Sequence, residues 1–462
     1  MSTRCRVFDW LDTIHHDSDY TQQLSSCPAD NTNPPSRKRR RFNPPTPESS
    51  KNGRKARRMS SSRRDGSPSK RSFDSYEDDN ENEQTPRAPR SNKHIHTPKS
   101  GSLSLASSQS EKSARSGQSS PSKHFNALER SARGVVSREL SQYHPQPPAL
   151  EALLDEIDLI ATGQGILPAS DRETYSSLGN EEYWDLKWAR KGASSDRYFS
   201  MERQSLGYTP SPDLVLDILF AAAECNGNSH PETTWNTEVH QRVLETALRQ
   251  PAPRGPHLVN FVATTTAPII SEYHASVPPT KKVDFCVYID PCNDDSNKSA
   301  SIIAALRDTL PCAVFNHTDH YPLRDRPIAL SIETKKTGEG WENARLQLGV
   351  WQAAHWNFLR HLLGLAQQRS RVATESGYDS VLQTESLQLP DFLPGIIIQG
   401  HDWHLVITSP EGEKVVLWQK VTFGSTSSSK GIYQIIYTLQ LLRKWARDSY
   451  WPWLKKVLYE LG

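Results

Sequence analysis

Two apolar segments that carry charge constrain this chain more than any other feature. Residues 328–335 read IALSIETK and residues 283–289 read VDFCVYI. Both have the length and the β-branched, aromatic composition of buried strands. Yet the first ends on Glu333 and Lys335, and the second holds Asp284. A carboxylate or ammonium inside a buried strand is costly unless it is paired or bound to a metal. Side chains two apart share a strand face. Ile328, Leu330 and Ile332 therefore point one way, and Ala329, Ser331, Glu333 and Lys335 the other. That second face begins small and ends charged, which leaves room for a ligand. In the other segment Val283, Phe285, Val287 and Ile289 face the core and Asp284 faces away from it. If the two strands pair, Asp284 and Glu333 converge.

Two neighbouring carboxylates repel, and the pair holds a proton unless a cation lies between them. Mg²⁺ suits such a place, because it takes oxygen ligands while keeping waters and a phosphate oxygen. The Thr334 carbonyl, between the two charged residues, is a natural further ligand. Lys335 beside the ion is positioned to orient an attacking water or to neutralise a phosphate. The combination predicts hydrolysis of a phosphodiester at a metal site.

The surrounding pattern predicts helices over 150–160, 183–189, 212–225 and 231–248. Gly163 and Gly165 end the first of these. In the last, Trp235, Val239, Val243 and Ala247 recur at i+4, and Ser229 with Glu232 matches a capping box, with Pro231 suited to the first turn. A β segment over 257–273 precedes the strands at 283–289 and 328–335. A long helix follows over 341–365, with Trp351 and Phe358 on its inner side. Strands at 395–408 and 414–423 turn at Pro410 to Gly412, and helices over 431–448 and 451–461 complete the chain. The order α-β-β-β-α-β, with helices on a mixed sheet, is an α/β fold.

Composition divides the chain. Residues 1–143 hold 26 Lys+Arg against 16 Asp+Glu, a net of +10, which leaves −8 for the remainder. This part is rich in Ser and Pro and too poor in aliphatics to offset its chain entropy, so it reads as a disordered tail, with the folded domain over 145–462. Arg37, Lys38, Arg39, Arg40 and Arg41 lie between prolines, and Arg54, Lys55, Arg57 and Arg58 follow. Such exposed clusters predict nuclear import. Five Ser/Thr-Pro steps from Thr46 to Ser120 are candidate phosphate acceptors. Val7, Trp10, Leu11 and Ile14 share a helical face, so residues 1–16 are a candidate docking segment for protein partners. Six cysteines include no CxxC pair. With no apolar signal region, a reducing intracellular compartment is expected, and no membrane span. No nucleophile elbow or Gly-rich phosphate loop is present. The many tryptophans read as core, and His401 and His404 as ordinary strand residues.

Asp284 followed by Glu333, Thr334 and Lys335 resembles the PD-(D/E)xK nuclease superfamily, and more narrowly its fungal nuclease-like domain proteins. The likeness extends through Trp235, Asn236, Val239 and His240, through VDFC at 283–286, RPIALSIETK at 326–335 and LQLGVW at 346–351, and on to Trp403 and GIY at 431–433. It implies a restriction-endonuclease-like core and a nuclease that uses Mg²⁺ or Mn²⁺ on DNA. Carried to this chain, it makes Asp284 and Glu333 the metal ligands, with the Thr334 carbonyl, and Lys335 the catalytic lysine. It places Gln347 as a polar residue on the helix after the third strand. A glutamate on the first core helix would be Glu232, or else Glu238, although Glu232 is equally explained as a cap. Val283 stands where the superfamily name has proline, and an insertion is expected at 290–298. The alternative is a silent nuclease fold serving as a nuclear binding or scaffold module, its acids and lysine reduced to an internal salt bridge.

Overall fold

The computed structural model describes residues 121–190, 193–249, 255–275, 281–338, 340–375 and 387–462. The expectations placed on residues 1–120, namely the docking helix, the import clusters and the Ser/Thr-Pro sites, lie outside these residues.

The fold begins earlier than the expected boundary at 145. Helix α1 (Pro121–Arg130) buries Phe125 and Leu128, and strand β1 (Val135–Arg138) buries Val135 and joins the main sheet. Helix α2 (Pro148–Thr162) turns Leu150, Leu153, Ile157 and Ile160 inward and stops at Gly163, whose φ of +91° is left-handed. The 183–189 helix is instead a 3₁₀ turn followed by one α turn, Lys187–Arg190. Helix α3 (Pro212–Gly227) is capped by the Ser211 hydroxyl, which accepts from the Leu214 N–H. Helix α4 is made of Glu232–Trp235, a π-helical turn Asn236–His240, and Gln241–Leu248.

Strands β2 (Val259–Ala263), β3 (Phe285–Ile289) and β4 (Ile328–Lys335) follow. Helix α5 (Lys298–Arg307) lies between β3 and β4, so the insertion carries a helix as well as loop. Ile269 and Ile270, expected in the first β segment, lie in a loop joined by one bridge to Thr318. Helix α6 (Trp341–Glu375) is longer than its apolar pattern predicted. Strands β5 (Leu393–Gln399), β6 (Asp402–Glu411) and β7 (Lys414–Ser425) come next, then helices α7 (Ser429–Trp445) and α8 (Trp451–Leu461). The expected strand over 395–408 is in fact broken at Gly400, whose φ of +56° makes the turn between β5 and β6.

One seven-stranded sheet runs β1-β7-β6-β5-β4-β3-β2. β4 pairs antiparallel with β3 and parallel with β5, and α6 makes the connection that a parallel pair requires. Seven of the eight β4 residues are buried. A strand enclosed this way is nearly all apolar, and Glu333 and Lys335 sit at its one charged end. Among the described residues no helix is long and apolar enough to cross a membrane.

Candidate active site at the end of β4

Ser331 and Glu333 share the β4 face that meets α6: the Trp351 indole N–H donates to Ser331 Oγ at 2.9 Å. The register places Phe285 opposite Ile332, and the Asp284 N–H donates to Ile332 O at 3.0 Å. Asp284 thus arrives beside Glu333 and Thr334 just before β3 begins. Its Oδ2 accepts from the Thr334 N–H at 2.8 Å and from Thr334 Oγ1 at 2.9 Å, and its Oδ1 accepts from Asn236 Nδ2 at 3.4 Å. The Lys335 ammonium lies 2.5 Å from Glu333 Oε1, 2.7 Å from the Thr334 carbonyl and 3.3 Å from Glu232 Oε2. Glu232 is therefore not a cap. Pro231 stands at the N-cap without a side-chain hydrogen bond, and Ser229 makes no capping box. Glu238 pairs on the surface with Arg242 at 2.8 Å, outside this cluster. Gln347 donates to the Lys282 carbonyl at 3.3 Å, at the segment that carries Asp284.

The cluster is short of positive charge. Glu333 is 1 % exposed. Burial first, and then the nearby Asp284 charge, hold its carboxyl well above the usual range, although Lys335 pulls the other way. Burial likewise raises Asp284 against the opposing donors of Thr334. Burial alone would lower Lys335, but the carboxylates of Glu333, Glu232 and Asp284 outweigh it and hold the ammonium above its ordinary value. Glu333 Oε2 is buried and has no hydrogen-bond partner. An orphaned acceptor between two acids is the local chemistry that a hard cation satisfies. Among the described residues no three His, Cys, Asp or Glu side chains form a closed metal cage. Two carboxylates and a carbonyl instead suit an ion that keeps several waters.

Sequence reasoning gave no site role to three contributors, two of which, Asn236 and His240, fall within the likeness noted above. Asn236 and His240 are both buried on the π-helical turn of α4. His240 Nδ1 meets Asn236 Oδ1 at 2.9 Å and its Nε2 meets the Gly400 carbonyl at 3.3 Å. The Gly400 N–H donates to the Lys335 carbonyl at 2.7 Å. Asp284, Asn236, His240, Gly400 and Lys335 thus form a run of polar contacts that returns to β4, in which the neutral His240 ring donates to one of its two oxygen neighbours. The π turn, often found where function demands an altered helix face, had no sequence signal beyond the presence of Asn and His four apart. Lys281 is the third. Burial lowers its ammonium, and it lies close enough to Glu333 and Lys335 to feel both charges.

The profile of the PD-(D/E)XK nuclease superfamily matches residues 178–451, more than half of the chain. The chain belongs to the PD-(D/E)XK nuclease superfamily. The match takes in α4, β2 to β5 and α6, and with them every residue of the cluster. No curated protein and no solved structure matches the chain significantly. Membership in a nuclease superfamily points to nuclease activity and nucleic-acid binding, and nucleases of this superfamily generally use divalent metals.

Proposed function

We propose that this chain is a Mg²⁺- or Mn²⁺-dependent nuclease that hydrolyses phosphodiester bonds of DNA in the nucleus. The observation that carries the reading is the meeting of Asp284, Glu333 and Lys335 at the end of two paired strands, with Glu333 Oε2 buried and unpartnered. Asp284 and Glu333 would hold the ion, with the Thr334 carbonyl as a third oxygen. When bound, the ion supplies a water of lowered pKa and offsets charge on the phosphoryl oxygens. Lys335, kept charged by Glu232 and Glu333, orients the attacking water. Glu232 fixes the ammonium from the α4 side. Gln347, seated on the Lys282 carbonyl, steadies the approach of the Asp284 segment. The basic clusters at 37–41 and 54–58 support nuclear import, and residues 1–16 supply a docking segment for protein partners.

The test is cleavage of duplex and single-stranded DNA by the whole chain with Mg²⁺ or Mn²⁺, beside Asp284→Ala and Lys335→Ala. The expected result is cleavage by the wild type and loss of at least a hundredfold in each variant. Equal cleavage by all three removes the assigned site. One observation favours a second reading. The Lys335–Glu333 contact of 2.5 Å, with Glu333 almost wholly buried, is also what a silent nuclease fold retained for binding would show. DNA binding without cleavage at any divalent ion would decide for it.

A further inference from the structure

The sheet face that carries Glu333 continues past the carboxylate cluster. The register sets Glu333 beside Ile397, Ile397 beside His404 and His404 beside Thr422. Residues opposite one another in a sheet point to the same face. His404 Nδ1 meets Thr422 Oγ1 at 2.9 Å, as that rule requires. His404 thus stands two strands from Glu333, about 10 Å at the usual strand spacing. Trp341, the first residue of α6, packs edge-to-face with His404, their ring centres 5.4 Å apart. The Lys420 ammonium lies 4.5 Å from the centre of the same indole. Lys420 and Thr422 are exposed on β7, Trp341 is half-buried, and His404 is buried between them.

An indole is neutral, so this contact orients the ammonium without cancelling its charge. Among the described residues no carboxylate pairs with Lys420. The acids of this edge are engaged or distant. Glu342 is held by Arg345 at 2.5 Å. Asp402 opposes Ser425, and Val421 opposes Leu405, so Asp402 lies four strand positions from the level of Lys420, about 13 Å along β6. A free lysine loses rotamer entropy when it binds an anion, and the indole has already taken part of that loss. A cation interleaved with an aromatic ring is also the pairing that nucleic-acid grooves use along a strand. We propose that Lys420, positioned by Trp341, holds a backbone phosphate of a bound nucleic-acid strand, about three nucleotide steps of 3.4 Å from the phosphate at the carboxylate cluster. The distance from a scissile phosphate rests on the nuclease reading; the contact between Lys420 and a phosphate does not.

The experiment measures binding of labelled DNA, single-stranded and duplex, to the whole chain without divalent ions, across a salt series, by fluorescence anisotropy. Loss of one phosphate contact lowers the slope of log K against log salt by about 0.7 on a single strand and about 0.9 on a duplex. Lys420→Gln is expected to weaken binding about three- to tenfold and to lower the slope by that amount. Lys420→Arg, which keeps the charge and can rest on the same ring, is expected to keep the wild-type slope. Trp341→Leu is expected to weaken binding about two- to threefold with the slope retained, because it frees the ammonium without removing it. Lys444→Gln, at the exposed C-terminal end of α7, measures what loss of a surface lysine costs by itself. If Lys420→Gln matches Lys444→Gln in affinity and slope, or the wild type binds neither DNA, the contact is wrong. If Trp341→Leu binds as the wild type does, the positioning role is wrong. Should Trp341→Leu melt early, the exposed Lys420 carries the test. Binding that depends on Lys420, with no cleavage in Mg²⁺ or Mn²⁺, would retain the contact and remove the nuclease reading. Cleavage with binding and slope indifferent to Lys420 would do the reverse.

Discussion

At the residue scale the Glu333–Lys335 pair has consequences for stability that are separable from chemistry. Removing one partner of a buried pair leaves the other uncompensated, which costs about 3 kcal/mol. Lys335→Ala should therefore unfold at clearly lower urea than the wild type. Glu333→Gln removes the charge that burial disfavours, and should cost far less or stabilise. The double variant should recover most of the loss, as a double-mutant cycle followed by urea denaturation will show. A second residue-scale expectation concerns acid. His317 and His355 are both fully buried, stacked at 4.8 Å beneath Trp351, and burial holds both below their ordinary range, His355 at about 3. A histidine with its folded pKa lowered contributes stability that is complete above about pH 6.5 and is lost as pH falls toward the folded value. Together the pair should make stability fall steadily as pH drops below about 6.5, because the unfolded imidazoles take up protons that the buried ones refuse. The check is the urea midpoint at pH 7 and pH 5, with His355→Gln reducing the difference.

At the scale of elements, the strands that carry Asp284 and Glu333 were readable because a buried acid interrupts an otherwise apolar run. The break between β5 and β6 was not. Residues 395–408, GIIIQGHDWHLVIT, hold seven apolar side chains on either side of a short polar step, and Gly400 is the single turn-forming residue within that step. Its necessity is tertiary: a Cβ there would stand 2.1 Å from Thr337 Oγ1, at a φ of +56°. Gly400→Ala should cost about 2 kcal/mol from left-handed strain and the displaced Thr337. It should also lower metal affinity, read by titration calorimetry, because it shifts the end of β4. The capping-box reading failed for a related reason. Ser229 and Glu232 have the right spacing, but Lys335, a hundred residues away in sequence, claims the glutamate. Alternation could pair Asp284 with Glu333; no local pattern could bring Asn236, His240 and Lys281 to the same place.

For the whole molecule, the apparent boundary near residue 145 followed composition, and composition misled. α1 and β1 lie in a Ser- and Arg-rich stretch, with only Phe125, Leu128 and Val135 to reveal burial. Those side chains together are worth about 5 kcal/mol of burial. A chain beginning at 145 should melt well below one beginning at 121, as calorimetry will show, because it uncovers the β7 edge that β1 pairs with. The circuit from Asp284 through Asn236, His240 and Gly400 back to Lys335 reaches across the same sheet. Each joint in it is held by its neighbours, so the acid and the amine cannot be pulled apart one at a time. Amide exchange at Thr334 and Gly400 should then proceed only with global unfolding. A substrate meets charges already gathered in place, and the work of assembling them was done when the chain folded.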